Sequence, residues 1–343
     1  MDLSEALHEL AGIVGAATGP VVGVGARTQF EVGDPAPSDC ELISAPAGIV
    51  QFEPADLTVT VGAGTTWAEL DAELATAGQE VALDPREPTA TVGGVLAVGT
   101  SGPRRLRHGP VRDAVLEVRF ATADGRLVKG GGRTVKNVSG YDLPRLLVGS
   151  FGTLGVLGQV TLRASARPAA ARWGARPIVP DGILATLFQP SSVLWDGTTT
   201  TVLVEGHPDD VAGDLRAGDL VPVADPPPFP EGPHRGRISV RPRAIVALGA
   251  ALDATGCRWL AEAGIGTVHV ASDTPGDLAA ARAAAHAAGG WMLREAGAPE
   301  IDGFGIELPN AALVRRLKAV FDPDAKLAPG RLPFAGVPGS VSA

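Results

Sequence analysis

The segment between residues 82 and 158 is dense in glycine, and small hydroxyl residues stand beside many of those glycines. Three parts of this segment have this composition: 90–94, 99–102 and 149–155. Glycine adopts backbone angles that other residues avoid, and its lack of a side chain lets an amide group approach a ligand closely. The segment therefore predicts tight turns whose backbone surrounds a bound cofactor.

A second glycine-containing turn follows a short apolar run at 21–24. It consists of Gly23, Val24, Gly25, Ala26, Arg27 and Thr28. Successive amides in such a turn can bind a diphosphate. The Rossmann dinucleotide motif is excluded, because Thr28 stands in place of the third glycine and no helical pattern follows. From its residues alone, the turn fits an ordinary strand connection as well as a phosphate-binding loop.

Charge and cysteine content restrict the partners of the chain. Its 343 residues carry a formal net charge of -9, which argues against nucleic acid as the main partner. Cys40 and Cys257 are too few to hold an iron–sulfur cluster. The acidic N-terminus and the lack of an apolar run of about 18 residues predict neither a signal peptide nor a membrane span. We therefore expect a cytoplasmic protein, and the length suits two domains.

Basic residues are concentrated in the central segment. They are Arg104, Arg105, Arg107 and Arg112. One interpretation is a solvated basic turn. The other is that these charges complement a pyrophosphate or the carboxylate of a substrate, which arginine recognises well.

Hydrophobic periodicity predicts a mixture of helices and strands. Helices are expected at 4–14, 67–77, 209–215, 277–288 and 308–321. Strands are expected at 57–61, 115–121, 146–150, 156–162, 200–205 and 267–271. The last helix is expected to be amphipathic, with Leu313, Leu317 and Val320 on one side. His207 and His269 fall on strand-like stretches, where a hydrogen-bonded structural histidine is the expected role.

Several motifs carry a family resemblance, and they occur in the order that the family has. Residues 56–64, 90–94 and 149–156 together resemble the vanillyl-alcohol-oxidase-type, or PCMH-type, FAD-binding domain. More narrowly, 101–105, 109–113 and 136–143 are similar to the FAD-binding E subunits of bacterial glycolate oxidases. The resemblance implies an α+β fold in which two α+β subdomains hold FAD at 1–168, followed by a reduced α+β cap at 169–300. A helix and tail at 301–334 would return to the flavin domain, and 335–343 are expected to be disordered.

The resemblance also implies which residues bind the cofactor. Besides the six residues of the 23–28 turn, they are Pro88, Thr91, Val92, Gly93, Gly94, Thr100, Ser101, Gly102, His108, Gly109, Gly155 and Val156. Some relatives attach flavin covalently through His or Cys. Neither occurs at 23–30 and only His108 lies nearby, so non-covalent FAD is expected. The cap lacks the His-Gly-Asp-Gly-Asn-x-His metal motif of related 2-hydroxy-acid enzymes, and no metal site is expected.

The functional prediction is an FAD-binding subunit of a glycolate-oxidase-type complex that converts glycolate, or a similar 2-hydroxy acid, to the 2-oxo acid. Electrons would pass to a partner, and a second flavin subunit and an iron–sulfur subunit are expected, with peripheral attachment to the inner membrane through partners left open. No general base is recognisable, and the catalytic residues are unknown. Arg241 and Arg331 are candidates to bind a carboxylate. Two alternatives remain open: a stand-alone FAD-dependent alcohol oxidoreductase and a non-catalytic assembly subunit with a degenerate FAD site.

Overall fold

The computed structural model describes residues 3–133, 141–308 and 310–333. Residues 136–140 of the predicted subunit motif and the 335–343 tail lie outside this part. The helices are α1 Leu3–Ala16, α2 Trp67–Ala75, α3 Val92–Val98, α4 Arg105–His108, α5 Leu143–Leu147, α6 Pro180–Leu184, α7 Pro208–Ala217, α8 Ile245–Leu252, α9 Pro275–Ala287 and α10 Ala311–Phe321. The strands are β1 Val21–Val24, β2 Glu41–Ser44, β3 Ile49–Glu53, β4 Thr58–Gly62, β5 Gln79–Glu80, β6 Val115–Ala121, β7 Leu127–Gly131, β8 Val156–Arg163, β9 Ser165–Ala166, β10 Ala170–Arg176, β11 Ser192–Trp195, β12 Thr200–Gly206, β13 Val221–Val223, β14 His234–Ser239, β15 Arg258–Glu262, β16 Thr267–Ser272 and β17 Trp291–Ala296.

A five-stranded antiparallel sheet in the order β3-β4-β8-β6-β7 forms the centre of the first half. Val59 and Val61 of β4, two residues apart, are both buried in its core. Helices α2 and α3 cover it, with Leu70 and Leu96 fully buried. Thr66 caps α2 by accepting a hydrogen bond from the Glu69 amide, and the Glu69 side chain accepts one from the Thr66 amide in return.

An eight-stranded antiparallel sheet in the order β13-β10-β12-β11-β15-β16-β14-β17 forms the second half. Helices α7, α8 and α9 pack on one of its faces through Val211, Leu248 and Leu278. Ile238 of β14 is fully buried on the same side. Strand residues alternate between faces, so the neighbours of Ile238 on β14 point to the opposite face, away from these helices.

A smaller unit joins the two ends of the described chain. Strands β1 and β2 pair in parallel, and α1 packs on them through Val14. The segment after α10 returns to β1, where Leu327 forms a parallel bridge with Val21. The Ala328 amide donates to the Val21 carbonyl at 2.7 Å. The start of the glycine turn is thereby held from both sides.

Two sequence-based expectations were wrong. The strand expected at 146–150 does not form, because Leu146 and Leu147 belong to helix α5, which Asp142 caps by accepting from the Arg145 amide. Helix α10 exists, but its apolar side is not its packed side. Leu313 and Val320 are 47% and 78% exposed, whereas Lys318 is buried.

Candidate functional site

A cleft runs between the β1 turn, the start of α3 and the turn before β8. It consists of two adjoining cavities. Both are lined by Gly23, Val24, Gly25, Thr91, Gly94, Ala97 and Phe151. The lining is mostly small and apolar, which suits a flat ligand that approaches the backbone.

The 23–28 turn offers unpaired backbone donors to this cleft. All six of its residues line the second cavity. The amides of Ala26, Arg27 and Thr28 meet no acceptor among the residues that the structure describes. A Cβ on Gly25 would lie 2.0 Å from Thr91 Oγ1, so a side chain at this position would force the turn away from α3. The turn therefore presents its donors at a place that only glycine allows.

Helix α3 forms a second wall of the cleft. The Gly94 amide donates to Thr91 Oγ1 at 3.2 Å, so Thr91 caps the helix. Thr91, Gly93 and Gly94, three of the predicted cofactor residues, line the first cavity, whereas Val92 is fully buried in the core below.

The turn that precedes β8 forms the third wall. Gly149, Phe151 and Gly152 have φ angles of 77°, 55° and 75°. A phenylalanine in this left-handed region is strained, and such strain is concentrated at functional sites. Gly155 and Val156, two more of the predicted cofactor residues, also line the first cavity.

Arg331 reaches the cleft from the C-terminal segment. Its guanidinium lies 5.5 Å from the centre of the Phe30 ring and 5.6 Å from that of Phe151, and it donates to the Phe30 carbonyl. Burial lowers the pKa of Arg331 to about 10. The second carboxylate candidate, Arg241, is exposed before the turn Pro242–Ala244 and lines neither cavity of the cleft.

Several predicted cofactor residues lie outside the two cavities of the cleft. Ser101 Oγ accepts from the Val111 amide at 3.1 Å, and the Pro88 carbonyl accepts from the Ala68 amide. Gly102 packs against Asp84, and Gly109 packs against Asp113. In this arrangement they shape the loops behind the cleft, and their contact with the cofactor stays a prediction.

Arg104 and His108 instead join the two halves of the molecule. Arg104 makes two hydrogen bonds to Asp84, at 2.6 and 2.8 Å, and reaches Glu205 of β12 at 3.4 Å. His108 Nε2 lies 3.8 Å from the same Glu205 carboxylate. Although burial opposes the charge of Arg104, the hydrogen bonds that it donates to Asp84 and Glu80 raise its pKa above the ordinary value. The interpretation that Arg104 complements a pyrophosphate was therefore wrong.

A third cavity, which we call the junction chamber, adjoins the cleft between the two halves. Thr28 and Gln29 line both the chamber and the cleft. Thr100, a predicted cofactor residue, lines the chamber and donates to Gln29 Oε1 at 3.0 Å. On the other side lie Arg86, Arg235 and His269.

His269 is the functional candidate that the sequence interpretation missed. It is 5% exposed, and its Nε2 lies 2.5 Å from Glu262 Oε1. Its Nδ1 lies 3.2 Å from a terminal nitrogen of Arg86. Arg237 of β14 pairs with His269 in register, and Arg235 shares that face of the strand. The sequence did contain a pattern that could have indicated this site. The alternation Arg235-Gly236-Arg237 puts two cations on the face of β14 opposite the helices.

Sequence comparisons with known proteins match part of the chain. Residues 4–131 match the family described as FAD binding domain. The chain is 38% identical over 171 residues to glycolate oxidase subunit GlcE of Escherichia coli, covering 49% of this chain and 49% of that protein. It is 45% identical over 102 residues to a D-lactate dehydrogenase of Archaeoglobus fulgidus, covering 30% of this chain and 23% of that enzyme. The chain thus spans about half the length of the glycolate oxidase protein that it matches. The predicted resemblance to an FAD-binding glycolate oxidase subunit is confirmed, and so is the prediction of FAD as cofactor.

Similarity to solved structures concerns the fold alone. An alkyldihydroxyacetonephosphate synthase superposes with a TM-score of 0.68 at 14% identity, covering 95% of this chain and 74% of that one. The predicted α+β fold class is confirmed. Within the described residues, no helix combines the length and apolar character needed to cross a bilayer.

Proposed function

We propose that this chain, whose residues 4–131 match an FAD binding domain, is an FAD-binding subunit of a glycolate-oxidase-type complex. In this proposal it takes part in the FAD-dependent oxidation of glycolate, or a similar small 2-hydroxy acid, to the 2-oxo acid. The observation that carries the proposal is the 38% identity to a glycolate oxidase subunit, combined with a glycine-lined cleft to which residues 23–25 and 91–97 of the FAD binding domain match contribute.

The residues of the cleft fit FAD. The free amides of Ala26, Arg27 and Thr28 would hold the pyrophosphate, because a run of unpaired N–H groups binds anions. Ala97 and Phe151 would cover the cofactor and exclude water from it. When bound, FAD supplies the redox chemistry, and the protein supplies position and electrostatics. No histidine or cysteine occurs at 23–30, which supports non-covalent binding.

The partners and the location belong to the same proposal. With Cys40 and Cys257 as its only cysteines, the chain would pass electrons to an iron–sulfur cluster on another subunit rather than hold one. A second flavin subunit would complete the complex. We propose a cytoplasmic location, with any attachment to the inner membrane made through these partners.

The absorbance spectrum of the purified chain, recorded before and after acid precipitation, tests cofactor binding. We expect flavin bands in the native protein and free flavin in the acid supernatant. A yellow precipitate would contradict non-covalent binding. A colourless protein that takes up no added FAD would refute the proposal in favour of the assembly subunit.

Turnover separates the complex from a stand-alone enzyme. Glycolate oxidation is measured with the FAD-loaded chain alone and with the co-expressed partner subunits. We expect rapid turnover only with the partners. Rapid oxidation by the isolated chain would favour the stand-alone oxidoreductase.

A further inference from the structure

Helix α10 turns its apolar stripe towards solvent. Leu313, Leu317 and Val320 are spaced four and three residues apart, so they form one stripe along the helix. Leu313 and Val320 are exposed, and Leu317 is half-buried. The two buried residues of the helix are Ala311 and Lys318. A surface helix normally buries its apolar stripe against the core, whereas this stripe is left facing outwards.

The orientation of α10 is fixed by Lys318. Its ammonium group donates to the carbonyls of Thr153 and Leu327, at 2.8 and 2.7 Å, and pairs with the buried Asp322. Val320 lies about 200° from Lys318 around the helix axis, because successive residues are about 100° apart. A rotation that buried Val320 would therefore break all three contacts of Lys318. The polar anchor on one side of the helix keeps the apolar stripe on the other side outside.

The helix is basic, although the chain as a whole has a formal net charge of -9. The nearest carboxylates along the chain, Glu307 and Asp324, lie beyond the two ends of the helix, and Asp322 is paired with Lys318. Between 311 and 321 there are three cations and no carboxylate, and the cations are Arg315, Arg316 and Lys318. A molecule that binds to α10 therefore meets apolar side chains and positive charge together.

Arg316 puts a positive charge at the edge of the apolar stripe. It follows Leu313 by three residues and precedes Val320 by four, which is the spacing of neighbours on a helix surface. Arg316 is exposed and forms no ion pair with the residues that the structure describes. Arginine is enriched at protein interfaces, where its guanidinium group binds carboxylates through two hydrogen bonds. The surface that fits this stripe is therefore apolar, with a carboxylate at its edge.

The stripe lies behind one wall of the cofactor cleft. Lys318 donates to Thr153 in the turn that precedes β8, and Phe151 and Gly152 of that turn line the first cavity. Phe321, at the end of α10, packs against the core of the first half. An α-helix with its side chains is about 10–12 Å across, so a molecule seated on the stripe is separated from this wall by about that distance. Such a position suits a redox partner of a flavin protein.

A protein partner fits this surface better than a lipid bilayer does. Membrane binding by an interfacial helix increases with the apolar area that it buries, and α10 offers three aliphatic side chains and no exposed aromatic one. Protein interfaces hold most of their binding energy in a few central residues that a polar rim surrounds. A small apolar centre with an arginine at its edge has that composition.

We propose that the exposed stripe of α10, formed by Leu313, Leu317 and Val320 with Arg316 at its edge, is the surface on which the iron–sulfur subunit of the complex docks. The contacting surface of that subunit is apolar and carries a carboxylate that pairs with Arg316. This inference rests on the proposed function, since that function supplies the iron–sulfur subunit.

Binding of the iron–sulfur subunit tests the surface directly. The FAD-loaded chain is titrated onto the immobilised subunit. Leu313→Asp and Val320→Asp are each expected to weaken binding about tenfold or more, because they bury an unpaired charge at the centre of the interface. Phe188→Asp is the matched control, because Phe188 lies in the second half and is 78% exposed, like Val320. Unchanged affinities in both stripe variants, or an equal loss in the control, would overturn the proposal.

The charge match is tested by Arg316→Glu. This variant is expected to weaken binding about tenfold at about 0.1 M salt and much less at about 1 M, where charges are screened. Arg243→Glu, at an exposed arginine of the second half, makes the same change in net charge and is the control. A similar loss in both variants would overturn the contact between Arg316 and a carboxylate.

Hydrogen exchange on the wild-type chain avoids any folding defect of the variants. The amides of α10 are expected to exchange more slowly when the iron–sulfur subunit is bound, and unchanged exchange would overturn the proposal. Three other occupants give different results in the same measurement. A second copy would protect α10 at high concentration of the chain alone, and a bilayer would protect it on vesicles of phosphatidylethanolamine and phosphatidylglycerol. Residues 334–343, which lie outside the described part, would leave α10 less protected when they are removed. Any of these three results would overturn the proposal.

Failure of the docking surface and failure of the proposed function are distinguishable. If the stripe variants bind the iron–sulfur subunit as wild type does and the complex oxidises glycolate, the proposed function stands and the docking surface fails. If the stripe variants lose the subunit but the complete wild-type complex does not oxidise glycolate, the docking surface stands and the proposed function fails.

Discussion

Replacing Arg104 by methionine should destabilise the protein strongly at neutral pH. The Arg104 side chain is 15% exposed and pairs with Asp84 at 2.6 Å, Glu80 at 2.8 Å and Glu205 at 3.4 Å. Methionine has a similar reach but no charge, so it would leave three largely buried carboxylates without their common cation. Removing one partner of a buried ion pair costs about 3–5 kcal/mol of unfolding free energy. We expect Arg104→Met to fall in that range.

The loss should depend on pH. Burial tends to raise the pKa of Glu205, but hydrogen bonds from His108 and Ser191 and the charge of Arg104 outweigh it, and the pKa is lowered. A carboxyl group whose folded pKa lies below its unfolded value stabilises the protein above the unfolded value, which is about 4.3. That stability is lost as pH falls through the folded pKa. The difference between wild type and variant should therefore be full above about pH 6 and shrink below about pH 4.

Urea titrations at pH 7 and about pH 3, followed by tryptophan fluorescence, measure this difference. Arg167→Met is the control, because Arg167 and its partner Asp71 are 39% and 49% exposed and such pairs contribute about 1 kcal/mol or less. Equal losses in the two variants at pH 7, or a loss in Arg104→Met that does not change with pH, would refute the argument.

Two further predictions concern the glycine turn and the buried ion pair of helix α10. Gly25→Ala should weaken FAD binding about tenfold or more, because the new Cβ would lie 2.0 Å from Thr91 Oγ1. Gly19→Ala is the control, because a Cβ there meets no atom within 4 Å. A fluorescence titration should show an unchanged FAD affinity for this control. Lys318→Met should lower the unfolding free energy by about 3–5 kcal/mol, because it leaves the 1% exposed Asp322 without its cation, held only by the amides of Lys326 and Leu327. Arg126→Met, at an exposed ion pair, should change the same urea midpoint only slightly, and a similar shift in both variants would contradict the argument.

The cleft was predictable because its requirements are local. Close approach of the backbone requires glycine, as at Gly25 and Gly155, and helix capping favours a residue such as Thr91. Both requirements are therefore visible as residue types in the sequence. The same holds for the α+β class, which follows from periodicity. Periodicity does not reveal which side of a helix is packed, however. In α10 the buried Lys318 donates to the carbonyls of Thr153 and Leu327, and these contacts lie far along the chain from one another.

The charged groups were harder to assign because their partners are distant in sequence. Arg104 meets a carboxylate 101 residues away, and Arg86 meets His269 across 183 residues. Nothing near either arginine indicates whether it binds a ligand or joins two parts of the fold. The wrong prediction of a strand at 146–150 has a different cause. A short apolar run fits a strand or a buried helical turn equally well, and Asp142 decides between them by capping α5.

The bridge between Val21 and Leu327 has a consequence for biosynthesis. Strand β1, which leads into the glycine turn, is supported on one side by β2 and on the other by a segment translated some 300 residues later. Lys326 reinforces this junction by donating to the Val14 carbonyl at the end of α1. While the chain is still being translated, the sheets of both halves can form but the turn lacks its second support. We therefore expect the glycine turn to gain its second support only after the segment that follows helix α10 has been translated.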